Sequence, residues 1–316
     1  MVVCPSALKS VLSATEAAGA LAVGFGRAGS RVVCAPVADG GEGTAEALHA
    51  SLGGEWRAAL VSDPLGRQIE ARFLLLPDGR AVVESAEAIG LRRLARGELD
   101  PLLASSRGLG ELIRATLDQG ATGLVVGLGD TATVDGGIGM REALGALPVE
   151  TLVACDVANP LLGDRGAARV FGPQKGAGPP EVEELERRLA GVAELAPYAT
   201  LAGAGAAGGL GAALAALGAR LVSGAELVVG TIGLAELLRG ASLAVTGEGT
   251  VDGTSLEGKA TGLVASLCLR SDVRCVVFGG VVSAALPGVE LVALSGDPRR
   301  ARADLEALGE RLGGGL

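Results

Sequence analysis

Carboxylates and lysines recur in this chain inside glycine-dense segments. Asp39 and Glu42 lie in Val37-Ala-Asp-Gly-Gly-Glu-Gly-Thr44, Asp130 and Asp135 in Gly127-Leu-Gly-Asp-Thr-Ala-Thr-Val-Asp-Gly-Gly137, and Lys175 in Phe171-Gly-Pro-Gln-Lys-Gly176. Glu248 lies in Thr246-Gly-Glu-Gly249, followed by Asp252 and Gly258-Lys259, and an uncharged run spans Gly203-Ala-Gly-Ala-Ala-Gly-Gly-Leu-Gly211. Glycine lets backbone amides approach a ligand closely, carboxylates hold a hydrated metal, and ammonium groups neutralise phosphate. Phosphoryl transfer needs those parts: donor phosphates positioned, their charge balanced, and an acceptor hydroxyl aimed in line. Asp135, Asp156, Glu248 and Asp252 each stand just beyond an expected strand, where a carboxylate can hold Mg²⁺ through water or take the hydroxyl proton. An acid in the same place also serves as a helix N-cap or an Asx-turn. Lys9, Lys175 and Lys259 are notable because lysines are few and most cations are arginines. A lysine can equally be a solvated surface charge.

The elements that must position these residues alternate at both ends of the chain. A strand at 2–4 precedes Ser13-Ala-Thr-Glu16, a capping box that starts a helix to about Arg27. A strand at 31–36 delivers Asp39 and Glu42 to a loop before a helix at 44–51. Between 55 and 85 three runs separated by Asp63-Pro-Leu-Gly66 and Pro77-Asp-Gly79 read as an antiparallel meander. A helix at 108–119, a strand at 123–129, a helix at 138–147 and a strand at 151–155 follow. Pro179-Pro180 opens a helix from 181 to 195. Strands at 242–246, 274–279 and 289–294, with helices at 258–271 and from Asp297-Pro298 to about 312, restore the alternation. The expected fold is α/β with two domains. A discontinuous Rossmann-like parallel-sheet domain takes residues 1–60 and 238–316, and an inserted mixed α/β domain takes 61–237. The N- and C-terminal segments are expected to share one parallel sheet.

Composition narrows the function by exclusion. The 316 residues are 49% hydrophobic and carry a net charge of −9, which opposes bulk nucleic-acid binding, since duplex phosphates demand a basic footprint. Aromatics at 2% leave no base-stacking platform. No apolar run reaches membrane-spanning length and no leader pattern opens the chain, so a cytoplasmic protein is expected. Cys4, Cys34, Cys155, Cys268 and Cys275 form no metal or disulfide pattern and read as small apolar fillers. His49 alone cannot carry a histidine mechanism. Gly253-Thr-Ser-Leu-Glu-Gly-Lys259 has P-loop glycine and lysine spacing, but Ala260 stands where a metal-binding hydroxyl is required. A dinucleotide oxidoreductase is a poor reading, because no strand leads into the dinucleotide glycine fingerprint with an acid near its expected distance.

Taken in order, Val37 to Thr44, Ala154-Cys-Asp-Val157 with Asn159-Pro-Leu161, Val170-Phe-Gly-Pro-Gln-Lys-Gly-Ala177, Gly203 to Gly211 and Thr246 to Gly249 resemble the signatures of the type I (bacterial) glycerate kinases. The likeness covers nearly the whole chain. It implies ATP-dependent phosphorylation of D-glycerate, at the 2-hydroxyl, with ATP and Mg²⁺ as cofactors and a small hydroxy acid as substrate; the oligomeric state stays open. The roles then expected are Glu248 and Asp252 on the metal, Lys9 and Lys259 on phosphate oxygens, and Asp135 or Asp156 near the acceptor hydroxyl. Lys175 and Arg107 would meet the substrate carboxylate, with Asp39, Glu42 and Asn159 also lining the substrate and nucleotide. Lys9, Asp39, Asp135, Asp156, Glu248 and Asp252 are expected to face one interdomain cleft. Some positions depart from the family pattern. Pro5-Ser-Ala-Leu-Lys9 replaces Pro-Asp-Ser-Phe-Lys, Asp130 replaces a glycine, Val134 replaces an asparagine, Arg107 stands for a tyrosine and Thr250 for an arginine. The stretch between Met140 and Thr151 is short. The alternative is a divergent member that binds a small hydroxy acid or nucleotide without transfer.

Overall fold

The computed structural model describes residues 1–256, 259–283, 285 and 288–315. In chain order its elements are β1 (Val2–Val3), α1 (Ala14–Arg27), β2 (Val33–Cys34), α2 (Thr44–Leu52), β3 (Glu55–Ser62), β4 (Gln68–Leu75), β5 (Arg80–Glu84), α3 (Ser85–Ile89), α4 (Arg107–Asp118), β6 (Gly123–Gly127), α5 (Ile138–Leu144) and β7 (Thr151–Ala154). They continue with α6 (Ala167–Phe171), α7 (Pro179–Ala190), α8 (Ala206–Ala216), β8 (Arg220–Val222), α9 (Gly224–Thr231), α10 (Leu234–Leu238), β9 (Leu243–Val251), α11 (Ala260–Arg270), β10 (Arg274–Val282), β11 (Glu290–Ala293) and α12 (Ala301–Gly314).

Two compact units result. One comprises Met1–Asp39, Glu46–Gly53 and Ala225–Leu316, the other Gly40–Ala45 and Gly54–Gly224. These bounds differ from the expected 60 and 238, because β3 pairs along its whole length with β4 and residues 225–237 belong with the first unit.

The first unit holds a wholly parallel sheet in the order β11-β10-β9-β1-β2, so strands from both chain ends do share one sheet. The Ser13 capping box forms as its spacing dictates: Ser13 Oγ accepts from the Glu16 amide and Glu16 returns the bond to the Ser13 amide. The apolar face of α1 buries Leu21 and Phe25 with Leu305, Leu308 and Leu312 of α12. Gly24 permits this approach, since a Cβ there would meet the Glu306 carbonyl at 2.0 Å. The expected strand at 31–36 shrinks to two residues, because β2 is an edge strand with β1 as its sole neighbour. Its Cys34 is exposed and so is no apolar filler, whereas Cys4, Cys268 and Cys275 are buried.

The second unit holds a six-stranded sheet in the order β3-β4-β5-β6-β7-β8. β3, β4 and β5 are the expected antiparallel meander, and β5 to β8 continue in parallel. Asp63 makes the first turn by accepting the Leu65 and Arg67 amides, both at 2.9 Å. β6 is buried at all five residues, as a central parallel strand covered on both faces must be. The helix expected over 181–195 begins at Pro179 and ends at Ala190, where Gly191 interrupts it, and α5 stops at Leu144 before Gly145.

The glycine-rich run 203–211 is built into the core. Within α8, Ala207, Gly208 and Gly209 take left-handed backbone angles, and a Cβ on Gly208 would meet the Thr133 carbonyl at 2.0 Å. The Gly136 amide donates to the Gly208 carbonyl at 3.0 Å. These glycines therefore serve backbone-to-backbone packing beneath the 129–137 loop.

Candidate functional site

In the first unit β1 runs through α1 to β2, while β9 runs through α11 to β10. The adjacent strands β1 and β9 thus send their crossovers in opposite directions, and an open parallel sheet forms its ligand crevice at such a point, beyond the carboxyl ends of the strands. Lys9, Asp39, Glu248 and Lys259 belong to that edge. The ladder continues past β1, with Cys4 donating to the Val245 carbonyl at 2.8 Å and Ser6 to the Gly247 carbonyl at 2.9 Å. This sets the Lys9 turn beside Gly249, where an added Cβ would lie 3.8 Å from the Lys9 nitrogen. Lys9 itself is exposed.

Asp39 follows β2, whose path beyond Cys34 is held by the Ala35 and Val37 amides on the Val3 and Pro5 carbonyls. Its carboxylate accepts the first amide of α11, from Ala260, at 2.8 Å, where the helix end favours negative charge. Lys259 is the N-cap residue of that helix, and its ammonium lies 3.9 Å from Glu248. Burial raises the Glu248 carboxyl above the ordinary range, against the Ser255 hydroxyl and the Lys259 charge, while Asp39 adds to the rise. Glu248 Oε1 is buried without a hydrogen-bond partner. Asp252 stands one residue past β9 and gives its amide to Ser255 Oγ at 3.1 Å. The P-loop-like match dissolves here: Gly253–Leu256 is a 3₁₀ turn rather than a phosphate loop. Gly258, the expected start of the helix, lies outside the described residues.

The second unit uses similar residue types differently. Asp135 Oδ2 accepts from the Ser106 amide at 2.8 Å, the Ser106 hydroxyl at 2.7 Å and the Gly139 amide at 3.3 Å, and its Oδ1 from the Gly137 amide at 3.0 Å. It is the clasp between the starts of α4 and α5. Lys175 is 2% exposed and donates to Thr131 Oγ1 at 3.1 Å and the Thr133 carbonyl at 2.7 Å. Burial lowers its ammonium to about 7, with Asp135 and Asp130 opposing the fall. Asp130 adopts φ +50°, a left-handed conformation that aspartate tolerates better than most side chains, which accounts for an acid at a glycine position. Val134 is buried in the core; the loop turns inward there.

The other expected residues are held locally. Asp156 is exposed and accepts the Gly224 amide at 2.8 Å, at the start of α9. Asn159 donates to the Arg165 carbonyl at 2.8 Å. Arg107 pairs with Glu111 one helical turn away at 2.8 Å, and Glu42 pairs with Arg92. His49 falls in the last turn of α2.

One group was missed by sequence reasoning. Glu84 closes β5, is 7% exposed, and accepts the Ala45 amide at 2.8 Å. Its carboxyl is pushed up to about 7 by burial, against the backbone amides facing it, with Glu87 and Glu42 adding like charge. The available signal was an acid ending an otherwise apolar run, Ala81-Val-Val-Glu84.

The sequence profile of the glycerate kinase family matches residues 1–151 and 147–293. Glycerate 2-kinase of Escherichia coli is 41% identical over 82% of this chain and 79% of its own length. Glycerate kinase of Bacillus subtilis is 37% identical over 90% and 85%. The crystal structure of putative glycerate kinase 2 from Salmonella typhimurium superposes with a TM-score of 0.89 at 34% identity, covering 100% of this chain and 97% of that one. Over nearly its whole length, then, this chain belongs to the glycerate kinase family.

Proposed function

We propose that the protein transfers the γ-phosphoryl group of ATP to the 2-hydroxyl of D-glycerate. The observation that carries this reading is the set of Lys9, Asp39, Glu248 and Lys259 at the carboxyl edge of a parallel sheet in a chain of this family. Lys9 and Lys259 are assigned to phosphate oxygens. Glu248 and Asp252 are assigned to Mg²⁺, and the buried, unpartnered Oε1 of Glu248 suits that task. Among the described residues no three acidic, histidine or cysteine side chains converge on one cation. The donor set fits an ion held by one or two carboxylates, with water and phosphate completing its shell, as Mg²⁺ prefers. Such an ion neutralises charge on the transferring phosphoryl group.

Asp156, exposed beyond β7, is assigned to the acceptor hydroxyl in preference to Asp135, whose two oxygens already take four donors. Lys175 is reassigned from the substrate carboxylate to support of the 129–137 loop, since its ammonium is buried on Thr131 and Thr133. Arg107 and Asn159 remain candidates for substrate contact, as do Asp39 and Glu42. We place the protein in the cytoplasm, where ATP and a small organic acid are available; no helix among the described residues is long and apolar enough to cross a membrane.

A coupled assay of ADP release with D-glycerate, hydroxypyruvate and related hydroxy acids tests the assignment, with the phosphorylated carbon identified by NMR. Glycerate-dependent turnover is expected, with phosphate on the second carbon. Turnover on none of these acids overturns the kinase reading.

A further inference from the structure

We propose that the buried Glu84 carboxylate is a positioning residue for the kinase reaction: by accepting the Ala45 amide it fixes the backbone where the 40–45 turn enters α2. The inference rests on the kinase reading above. Glu84 is the last residue of β5, between antiparallel β4 and parallel β6, so its backbone is fixed by the centre of the sheet. Its side chain receives the Ala45 amide at 2.8 Å, three residues past Glu42. Gly40, Gly41 and Gly43 precede the anchored amide, and glycine backbones are conformationally permissive. Gly40 adds a second constraint, since a Cβ there would meet Ala154 and Gly224 at 2.7 Å.

The charges around Glu84 make the anchor responsive. Glu87 from α3 and Glu42 from the loop repel its ionised form. Both of those acids are tied to Arg92, and Glu87 also pairs with Arg72 and Arg93, so arginine charge is spent on the neighbours. An ionised Glu84 accepts the Ala45 amide in a charge-assisted hydrogen bond; protonation removes the charge and weakens that bond. With the carboxyl near 7, acidification below neutrality loosens the anchor at Ala45. Stability runs the other way. The folded-state value is raised, so the stabilising contribution of the protonated group is present at low pH and lost as pH rises through about 7.

The test measures hydrogen exchange of the Ala45 amide, corrected for intrinsic rate, alongside kcat/KM for ATP and D-glycerate between about pH 6 and pH 8. Wild-type protection of this amide should fall about 10- to 100-fold toward the acid end, the scale of one charge-assisted hydrogen bond, and kcat/KM should fall with it. Glu84→Gln should lower kcat/KM at pH 8, lose the acid limb, and melt no lower than wild type there. Glu84→Asp, which keeps the charge and shortens the reach, should retain the limb. Should the Gln variant fail to fold, the wild-type exchange profile decides by itself. Turnover accompanied by pH-independent protection of the Ala45 amide overturns the role of Glu84 alone. Absence of turnover at every pH overturns the kinase reading and, with it, any part for Glu84 in the reaction.

Discussion

The two units use the same vocabulary of acids, lysines and glycine loops for different purposes. In the first, Glu248 keeps a buried oxygen unpartnered, Lys259 stands 3.9 Å from it, and Lys9 is exposed. In the second, Asp135 and Lys175 have their polar atoms committed to backbone and hydroxyl groups. Topology accounts for part of the difference. The first sheet reverses its crossover direction between β1 and β9, the kind of point at which open α/β sheets bind ligands, whereas β5 to β8 of the second sheet step one way only.

The comparison breaks most sharply at the first unit's cations and acids. Lys9→Ala and Asp252→Asn should each cut turnover on the order of 10²-fold or more, the scale of one lost electrostatic contact to a transition state, with little change in melting temperature. If instead these variants melt early and the surviving folded fraction works normally, the first unit's residues are scaffolding as well.

Lys175→Met sharpens the contrast from the other side. Leaving the Thr133 carbonyl and Thr131 hydroxyl unpaired should cost about 1–3 kcal/mol of stability, while the KM for glycerate stays within a few-fold. A depressed lysine value means that stability present above the unfolded value is lost as pH falls toward about 7. Wild type should therefore lose stability across that interval, and the Met variant should lack that component; thermal melts at stepped pH read both. A KM rise of 10²-fold without destabilisation would return Lys175 to the substrate.

Asp135→Asn should cost about 1–2 kcal/mol through the weakened clasp at α4 and α5, read by denaturant unfolding, with activity per folded molecule largely kept. The smallest effect belongs to Arg107→Ala. Its exposed pair with Glu111 is worth about 0.2–1 kcal/mol, so stability should barely move, and a tenfold rise in glycerate KM would assign it to the substrate.

The sequence by itself determined what depends on neighbours in the chain. The Ser13–Glu16 capping box, the Asp63 turn, the meander and the alternation at both ends are short-range or periodic signals, and they suffice for an α/β fold whose first sheet is built from both termini. The ordered glycine segments sufficed for the family. Tertiary structure alone decided which acids and lysines are committed. Asp135 and Lys175 look as available as Glu248 and Lys259 in the sequence, because the partners that occupy them, Ser106, Thr131 and Thr133, are set by how loops meet across the sheet. Glu84 went unnoticed for the same reason. An acid at the end of an apolar strand acquires its meaning from the Ala45 amide, about forty positions earlier in the chain, which only the folded backbone brings within hydrogen-bond reach.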